Sequence, residues 1–335
     1  MSSPNAGITP SAPVGSLDPA TTVRDDLARV EVKLSTLLDS NETLISEICH
    51  YLVDAAGKRL RPVFILLVYR ACGGIDAKVE DAVDAAIALE LIHSATLLHD
   101  DIIDGGEMRR GKPSAFARYG AAASLVAGDF LFCRAFELCG RFEERLVRTA
   151  AQACIQLTEG EVMEGRMRHQ TSATLDEYIT IITRKTASLF AAGGRVAADL
   201  AGASQATIEA MENLGLAFGR AFQMIDDVLD IVGSEEKIGK QVGADLKAGV
   251  LSLPAVIGME DSPELRSYFS NGKTADPQTF NHALELMRRP ATITRARTLA
   301  DHQVDLARKL MTQLPPSPYR QSLLQLIDNQ TARDN

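Results

Sequence analysis

Two acidic runs of identical spacing, Asp100-Asp101-Ile102-Ile103-Asp104 and Asp226-Asp227-Val228-Leu229-Asp230, constrain this chain more than any other feature. On a helix, residues four apart lie about 40° apart around the axis, on one face and roughly one turn apart. Each run therefore presents a ledge of carboxylates. Like charges at that spacing destabilise an isolated helix. Both runs nevertheless sit in apolar sequence, and between Ala85 and Leu98 the only formally charged residue is Glu90. A helix apolar nearly all round belongs at the centre of a fold. Two such ledges inside apolar helices are compensated by cations. Hard divalent ions fit, because Mg²⁺ takes one or two carboxylates and completes its octahedron with water and substrate phosphate.

The rest of the chain reads as helix. Leu27, Val30, Leu34 and Leu37, then Leu44, Ile45, Ile48 and Leu52, place one apolar stripe on each of two segments that end near Gly57. Long Ala- and Leu-rich segments follow the first ledge at 121–140, 146–169, 187–202 and 207–232. The pattern resumes around 280–288, 293–311 and 319–328. Tyr178 to Thr183 has the β-branching of a strand, but its neighbours are helical. Residues 233–251, rich in Gly and Lys, read as a loop. Residues 1–22, rich in Pro, Ser, Ala and Gly, read as a disordered tail before one all-helical domain, 23–335. The expected fold class is all-α, a single-domain helical bundle.

Composition narrows the function. With 35 Lys plus Arg against 44 Asp plus Glu, the chain carries a net charge of −9. That balance disfavours nucleic acid, whose phosphates need a basic face, and anionic lipid alike. The longest uncharged apolar runs, such as Val63 to Tyr69, fall far short of the roughly 20 residues that span a bilayer. No basic residue precedes Arg24, which argues against a signal or transit peptide. A cytoplasmic location is expected. The five cysteines (Cys49, Cys72, Cys133, Cys139, Cys154) are odd in number and lack CxxC spacing, so they read as reduced, small hydrophobes.

Cationic groups accompany the ledges. Lys58-Arg59-Leu60-Arg61-Pro62 follows Gly57, Arg109-Arg110-Gly111-Lys112 follows the first ledge, and Lys185-Thr186 and Lys240 come later. Arginine forks match phosphate oxygens bidentately, and lysine serves as a mobile point charge. Together with two Mg²⁺ ledges, these clusters describe a site for pyrophosphate-like anions. His93, seven residues before Asp100, shares the face of Asp100 and Asp104, although a buried core histidine explains the spacing equally well. Gln223 lies one turn before Asp226 and Asp227, within reach of the same ligand or of solvent.

With GKRLRP at 57–62, HSATLLHDDIID at 93–104, MRRGK at 108–112, GDF at 128–130, Lys185-Thr186, FQMIDDVLD at 222–230 and GKQVGADL at 239–246, the chain resembles the trans-type polyprenyl diphosphate synthase family, most closely its medium- and long-chain members. The resemblance runs from about residue 25 to the end. It implies an isoprenoid-synthase-type helical bundle around a deep central cavity, a homodimer, and Mg²⁺-dependent prenyl transfer, with three ions when substrate is bound. Isopentenyl diphosphate would be one substrate and an allylic diphosphate primer the other. Lys58, Arg61, His93 and Arg110 would hold isopentenyl diphosphate. Arg109, Lys185, Thr186, Gln223 and Lys240 would contact the allylic diphosphate, and Asp100, Asp101, Asp104, Asp226, Asp227 and Asp230 make up the metal ledges. Asp100, Asp104, Arg109, Lys185 and Asp226 would carry the chemistry. The departing pyrophosphate, not a side chain, is expected to take the proton lost at the end.

In this family, bulky side chains just before the first ledge block the growing tail. Here those positions are Ala95 and Thr96, with Ile92 and Leu89 further down, and Phe130 or Phe132 as an alternative floor. Small residues there imply a medium or long product suited to a quinone side chain. A short-chain farnesyl or geranylgeranyl product stays open, as does a non-catalytic partner subunit. One departure stands out: where the family often has Gly-Lys-x-Thr before Leu-Pro, this chain has Gly249-Val250-Leu251-Ser252. The substitution removes one cation from the allylic side and leaves primer preference open.

Overall fold

A computed structural model describes residues 18–54, 57, 59–233, 242–270 and 276–331. Pro19–Thr22 (α1), Arg24–Leu37 (α2), Thr43–Asp54 (α3) and Leu60–Ala71 (α4) lead to Val79–Ile103 (α5). A two-stranded antiparallel hairpin follows, Met108–Arg109 (β1) and Lys112–Pro113 (β2), with Met108 opposite Pro113. Next come Ala115–Tyr119 (α6), Ala121–Cys139 (α7) and Glu144–Met167 (α8). Leu175–Ile182 (α9) runs through a π-helical turn, Thr183–Ala187, into Ser188–Leu200 (α10), and Gln205–Val232 (α11) carries the second ledge. The last helices are Ala244–Ala248 (α12), Leu253–Asp261 (α13), Pro263–Ser270 (α14), Pro277–Met287 (α15), Pro290–Leu310 (α16) and Pro318–Thr331 (α17).

The near-absence of charge between Ala85 and Leu98 has the expected consequence: this stretch of α5 is buried on most sides, the helix being packed on α2, α4, α7 and α10. Its one fully buried acid outside the ledge, Asp84, is paired with Lys33 and Arg141. Against it, α10 and α11 pack unusually closely. A Cβ on Gly215 would lie 2.2 Å from the Phe190 carbonyl oxygen, so only glycine permits this approach. Phe64, Phe190 and Phe218 fill the junction of α4, α10 and α11, with ring centroids 5.0 to 5.6 Å apart. The close approach brings the π turn and the second ledge to one end of the bundle.

Several expectations change. Pro19–Thr22, assigned to the tail, form a helical turn docked on α17, with the Thr22 and Ser322 hydroxyls 2.6 Å apart; Pro at the first helical position pre-sets the backbone. The remainder of that tail, 1–17, lies outside the described residues. Tyr178 to Thr183 is helix, begun by a capping box in which Thr174 and Glu177 satisfy each other's backbone. Within the expected loop 233–251, Ala244–Ala248 is helical, while 234–241 lie outside the described residues. Helices α13 and α14 escaped the sequence reading because each is too short to show a periodic stripe. The segment Asp76–Ile103 is long and apolar enough on average to cross a membrane, yet 83% of its most apolar window is buried inside this fold.

Candidate active site

The two ledges open onto one cavity of about 600 Å³. Arg61 projects into it from α4, and Glu90, His93, Thr96 and Asp100 from α5. Arg110 comes from the hairpin, Glu161 from α8, Lys185 and Thr186 from the π turn, and Gln223 and Asp226 from α11. An adjoining chamber of about 180 Å³ shares Lys185, Thr186 and Gln223 and adds Asp104, Glu164, Tyr178, Asp227, Val250 and Ser252.

On the carboxylate side, the π turn gives Lys185 and Thr186 their placement, since the extra residue re-aims side chains that an unbroken helix would point elsewhere. Gly160 on α8 makes room: a Cβ there would stand 2.6 Å from the Lys185 backbone nitrogen. The Lys185 ammonium lies 2.6 Å from Glu161 and 2.5 Å from Glu164. Burial alone would pull its pKa down, but Glu164, Asp100 and Glu161 outweigh it and keep the ammonium protonated. Burial pushes the Asp100 carboxyl up to about 7; Lys185 opposes the shift, and Glu161, Asp104 and Glu164 add to it. Asp104, at the rim, is paired with Arg168.

The ledges do not act as blocks. Asp101 turns away from the cavity and is buried, accepting from Arg109 Nε (3.0 and 3.1 Å) and Nη2 (2.8 Å). Asp101 and Arg109 are thus paired with each other at the base of the hairpin, and neither lines the cavity. Asp227 is likewise buried, accepting from the Tyr178 hydroxyl (2.8 Å), the Leu253 amide (2.8 Å) and Gln223 Nε2 (2.9 Å). Those three donors leave Asp227 as a hub that orients Gln223, which in turn accepts from the Thr186 hydroxyl at 2.9 Å. Asp230 faces the 243–245 segment, its carbonyl accepting from the Gly243 amide (2.9 Å) and its carboxylate from the Asp245 amide (3.3 Å). Neither Asp227 nor Asp230 therefore projects into the main cavity beside Asp226.

The opposite wall is basic. The Arg61 guanidinium lies 5.0 Å above the Phe190 ring. Burial lowers it to about 10, against the pull of Glu90 and with the push of Arg110. Burial, reinforced by Arg61, Arg109 and Arg110, holds the His93 imidazole well below its ordinary value, so it is neutral and can both donate and accept. Lys58 and Lys240 lie outside the described residues.

Of the length positions, Thr96 lines the cavity, with its hydroxyl donating to the His93 carbonyl at 2.8 Å. Ala95 and Ile92 are buried in helix packing and do not line it. Phe132 is not a floor: it packs beside His99 and Phe136 and lines an open groove between α7 and α8. A small enclosed void of about 20 Å³ lies farther down α5, between Ala85 and Leu89 on one side and Phe142, Leu146 and Val147 on the other.

The sequence reading missed Glu161, Glu164, Arg168 and Tyr178. Glu161 and Glu164 form a third acidic pair three residues apart, a signal that was available; Arg168 and Tyr178 acquire their roles only from the fold. Among the described residues, no three acidic, histidine or cysteine side chains converge enough to hold a metal unaided. Carboxylate oxygens from Asp100 and Asp104 on one wall and Asp226 on the other suit a hard cation that takes its remaining ligands from water and diphosphate.

Residues 42–287 match the family described as polyprenyl synthetase. The chain is 34% identical to the nonaprenyl diphosphate synthase of Mycobacterium tuberculosis over 318 residues, 94% of each chain. It is 33% identical to the octaprenyl diphosphate synthase of Escherichia coli over 315 residues, 92% of this chain and 96% of that one. Its fold is similar to a crystal structure of a polyprenyl synthase from Caulobacter crescentus complexed with calcium and isoprenyl diphosphate. That likeness has a TM-score of 0.89 at 32% identity and covers 94% of this chain and 96% of the other.

Proposed function

Because the chain belongs to the polyprenyl synthetase family, we propose that it condenses isopentenyl diphosphate head-to-tail onto an allylic diphosphate, repeatedly, releasing one pyrophosphate per unit added. The observation behind this reading is that one cavity is lined by Arg61, His93 and Arg110 as one group and by Asp100, Lys185 and Asp226 as another. Two diphosphates thus have separate holders within one chamber. The allylic C–O bond ionises toward the carboxylate wall. Asp100, Asp104 and Asp226 would hold Mg²⁺, which would supply neutralisation of the charge that builds on the leaving group. Lys185, turned from Glu161 and Glu164 toward that diphosphate, adds a positive charge, and the Thr186 hydroxyl donates a hydrogen bond. Leu60, Leu97, Leu157, Leu189 and Phe222 line the same cavity and exclude the water that would quench an allylic cation.

A medium or long product is in keeping with the small Thr96 side chain on the cavity wall and with the relatives named for octaprenyl and nonaprenyl products. The small void beside Leu89, lined by α5, α8 and α10, lies on the route we assign to the growing tail. A quinone side chain is the use such a product suits. The chain works as a homodimer through α7 and α8. Leu125, Val126, Phe136, Ile155 and Val162 are each about half exposed there, beside an open apolar groove of about 720 Å³.

The test is incubation of the purified chain with Mg²⁺, isopentenyl diphosphate and an allylic primer, followed by chromatography. Elongated all-trans products with matching pyrophosphate release are expected. Release from the primer alone would point to a cyclase, and no release to a non-catalytic subunit.

A further inference from the structure

Glu90 is the one charged residue in the most apolar stretch of the chain, and neither wall of the site as described uses it. It is only 6% exposed, yet its side chain lines the cavity among the groups that would hold a diphosphate. A buried carboxylate in an anion site needs a reason, because it repels the ligand and is costly to desolvate. Its neighbours supply one. Arg59 Nη1 is 3.6 Å from Glu90 Oε1, while the rest of the same guanidinium grips Glu31 on α2, with Nε at 2.6 Å and Nη2 at 3.1 Å. Arg59 precedes α4 in the left-handed region, with φ of +46°, a conformation a non-glycine residue keeps only when its surroundings enforce it. Hydrogen bonds to Glu31 and to the Val53 carbonyl hold Arg59 there, the Glu90 ion pair at 3.6 Å adds charge without a hydrogen bond, and the residue two positions on is Arg61. The Nε of Arg61 is buried without a hydrogen-bond partner among the described residues. Arg61 and Arg110 both lie within the electrostatic reach of Glu90.

We propose that Glu90 is a positioning residue for the isopentenyl diphosphate end of the cavity: with Glu31 it clamps Arg59 and, through the start of α4, holds the Arg61 guanidinium aimed into the chamber, while its charge offsets the mutual repulsion of Arg59, Arg61 and Arg110. This rests on the reading of Arg61 as a diphosphate holder. The arginine wall is then set before substrate arrives, so no ordering is left to substrate binding. Glu90 does not touch the allylic end, so its loss acts on one substrate and spares the other.

The experiment is steady-state kinetics of the full chain carrying Glu90→Gln, with Mg²⁺ saturating and each substrate varied in turn. The KM for isopentenyl diphosphate is expected to rise about tenfold, the lower end of what loss of an outer partner does to a ligand site. The KM for the allylic primer and kcat should change less than about twofold, and Glu90→Asp should recover part of the loss, since it keeps the charge. An unchanged KM for isopentenyl diphosphate, or an equal rise for both substrates, overturns the inference. Glu31→Gln acts on the same clamp from outside the cavity. It should shift the same KM in the same direction by a smaller factor, and it decides the matter if Glu90→Gln does not fold. Arg61→Gln separates the two levels. If it raises the isopentenyl diphosphate KM while Glu90→Gln and Glu31→Gln do not, the clamp alone fails. If Arg61→Gln has no effect, the reading of the wall fails with it.

Discussion

The two acidic runs are the same five-residue pattern on two helices, and the molecule uses them differently. At the first, Asp100 and Asp104 stay with the two joined chambers while Asp101 is drawn off by Arg109. At the second, Asp226 alone enters the main cavity, because Tyr178, Leu253 and Gln223 occupy Asp227 and the 243–245 segment occupies Asp230. Spacing sets which carboxylates can share a face; the donors arriving from other helices decide which of them remain available. Asp100 and Asp226 line the main cavity, Asp104 and Asp227 the adjoining chamber, and Asp101 and Asp230 are held by the fold outside both.

That division is open to attack by substitution. Asp100→Asn and Asp226→Asn, each removing a charge that faces the developing leaving group, should lower kcat by about 10²–10³-fold with little change in thermal midpoint, the size seen when one preorganised electrostatic partner is lost. Asp227→Asn should show the reverse emphasis. Weakening its buried hydrogen bonds should lower stability by about 1.5–3 kcal/mol in a denaturant titration, while kcat falls less than in Asp226→Asn. Asp101→Asn loosens a partly exposed pair and should lower stability by about 1 kcal/mol or less, as in other partly solvated ion pairs, with kcat nearly unchanged. If Asp101→Asn and Asp227→Asn instead abolish turnover in a folded protein, the division is wrong.

A smaller effect concerns pH. The folded His93 resists protonation, whereas the unfolded chain takes a proton near the ordinary value of 6.5. The unfolded state therefore binds more protons below that value. The stabilisation is complete above pH 6.5 and declines as pH falls beneath it. Because Asp100, pushed up to about 7, contributes a slope of opposite sign in the same range, the test is the difference between wild type and variant: His93→Gln should lose less stability than the wild type as pH falls below 6.5.

Much of this arrangement could be read from residues alone. Periodic apolar stripes identified most of the helices, and the near-absence of charge between Ala85 and Leu98 put that stretch of α5 at the centre. The ledges and basic clusters pointed to one site, and Asp100, Asp226, Arg61 and Lys185 do line one cavity, with Asp104 in the adjoining chamber. What stayed hidden was the choice within Asp100-Asp101 and Asp226-Asp227. Adjacent helical residues point about 100° apart, and the partner of Asp227 sits 49 residues away on α9. The π turn under Lys185 has no sequence pattern to announce it, and Phe132 resembles a core aromatic until α8 is seen to leave its face open. Glu90 was visible from the start as a lone charge, but its purpose required Arg59 and Glu31 beside it.

The central claim is that the two ledges serve one diphosphate from opposite walls, and a double-mutant cycle on kcat with Asp100→Asn and Asp226→Asn tests it most directly. If both carboxylates act on the same leaving group, the first substitution already forfeits most of the joint stabilisation, and the double variant should be no more than about threefold slower than the slower single, as for residues acting as a unit. If the two losses multiply, the ledges act independently and the account is contradicted.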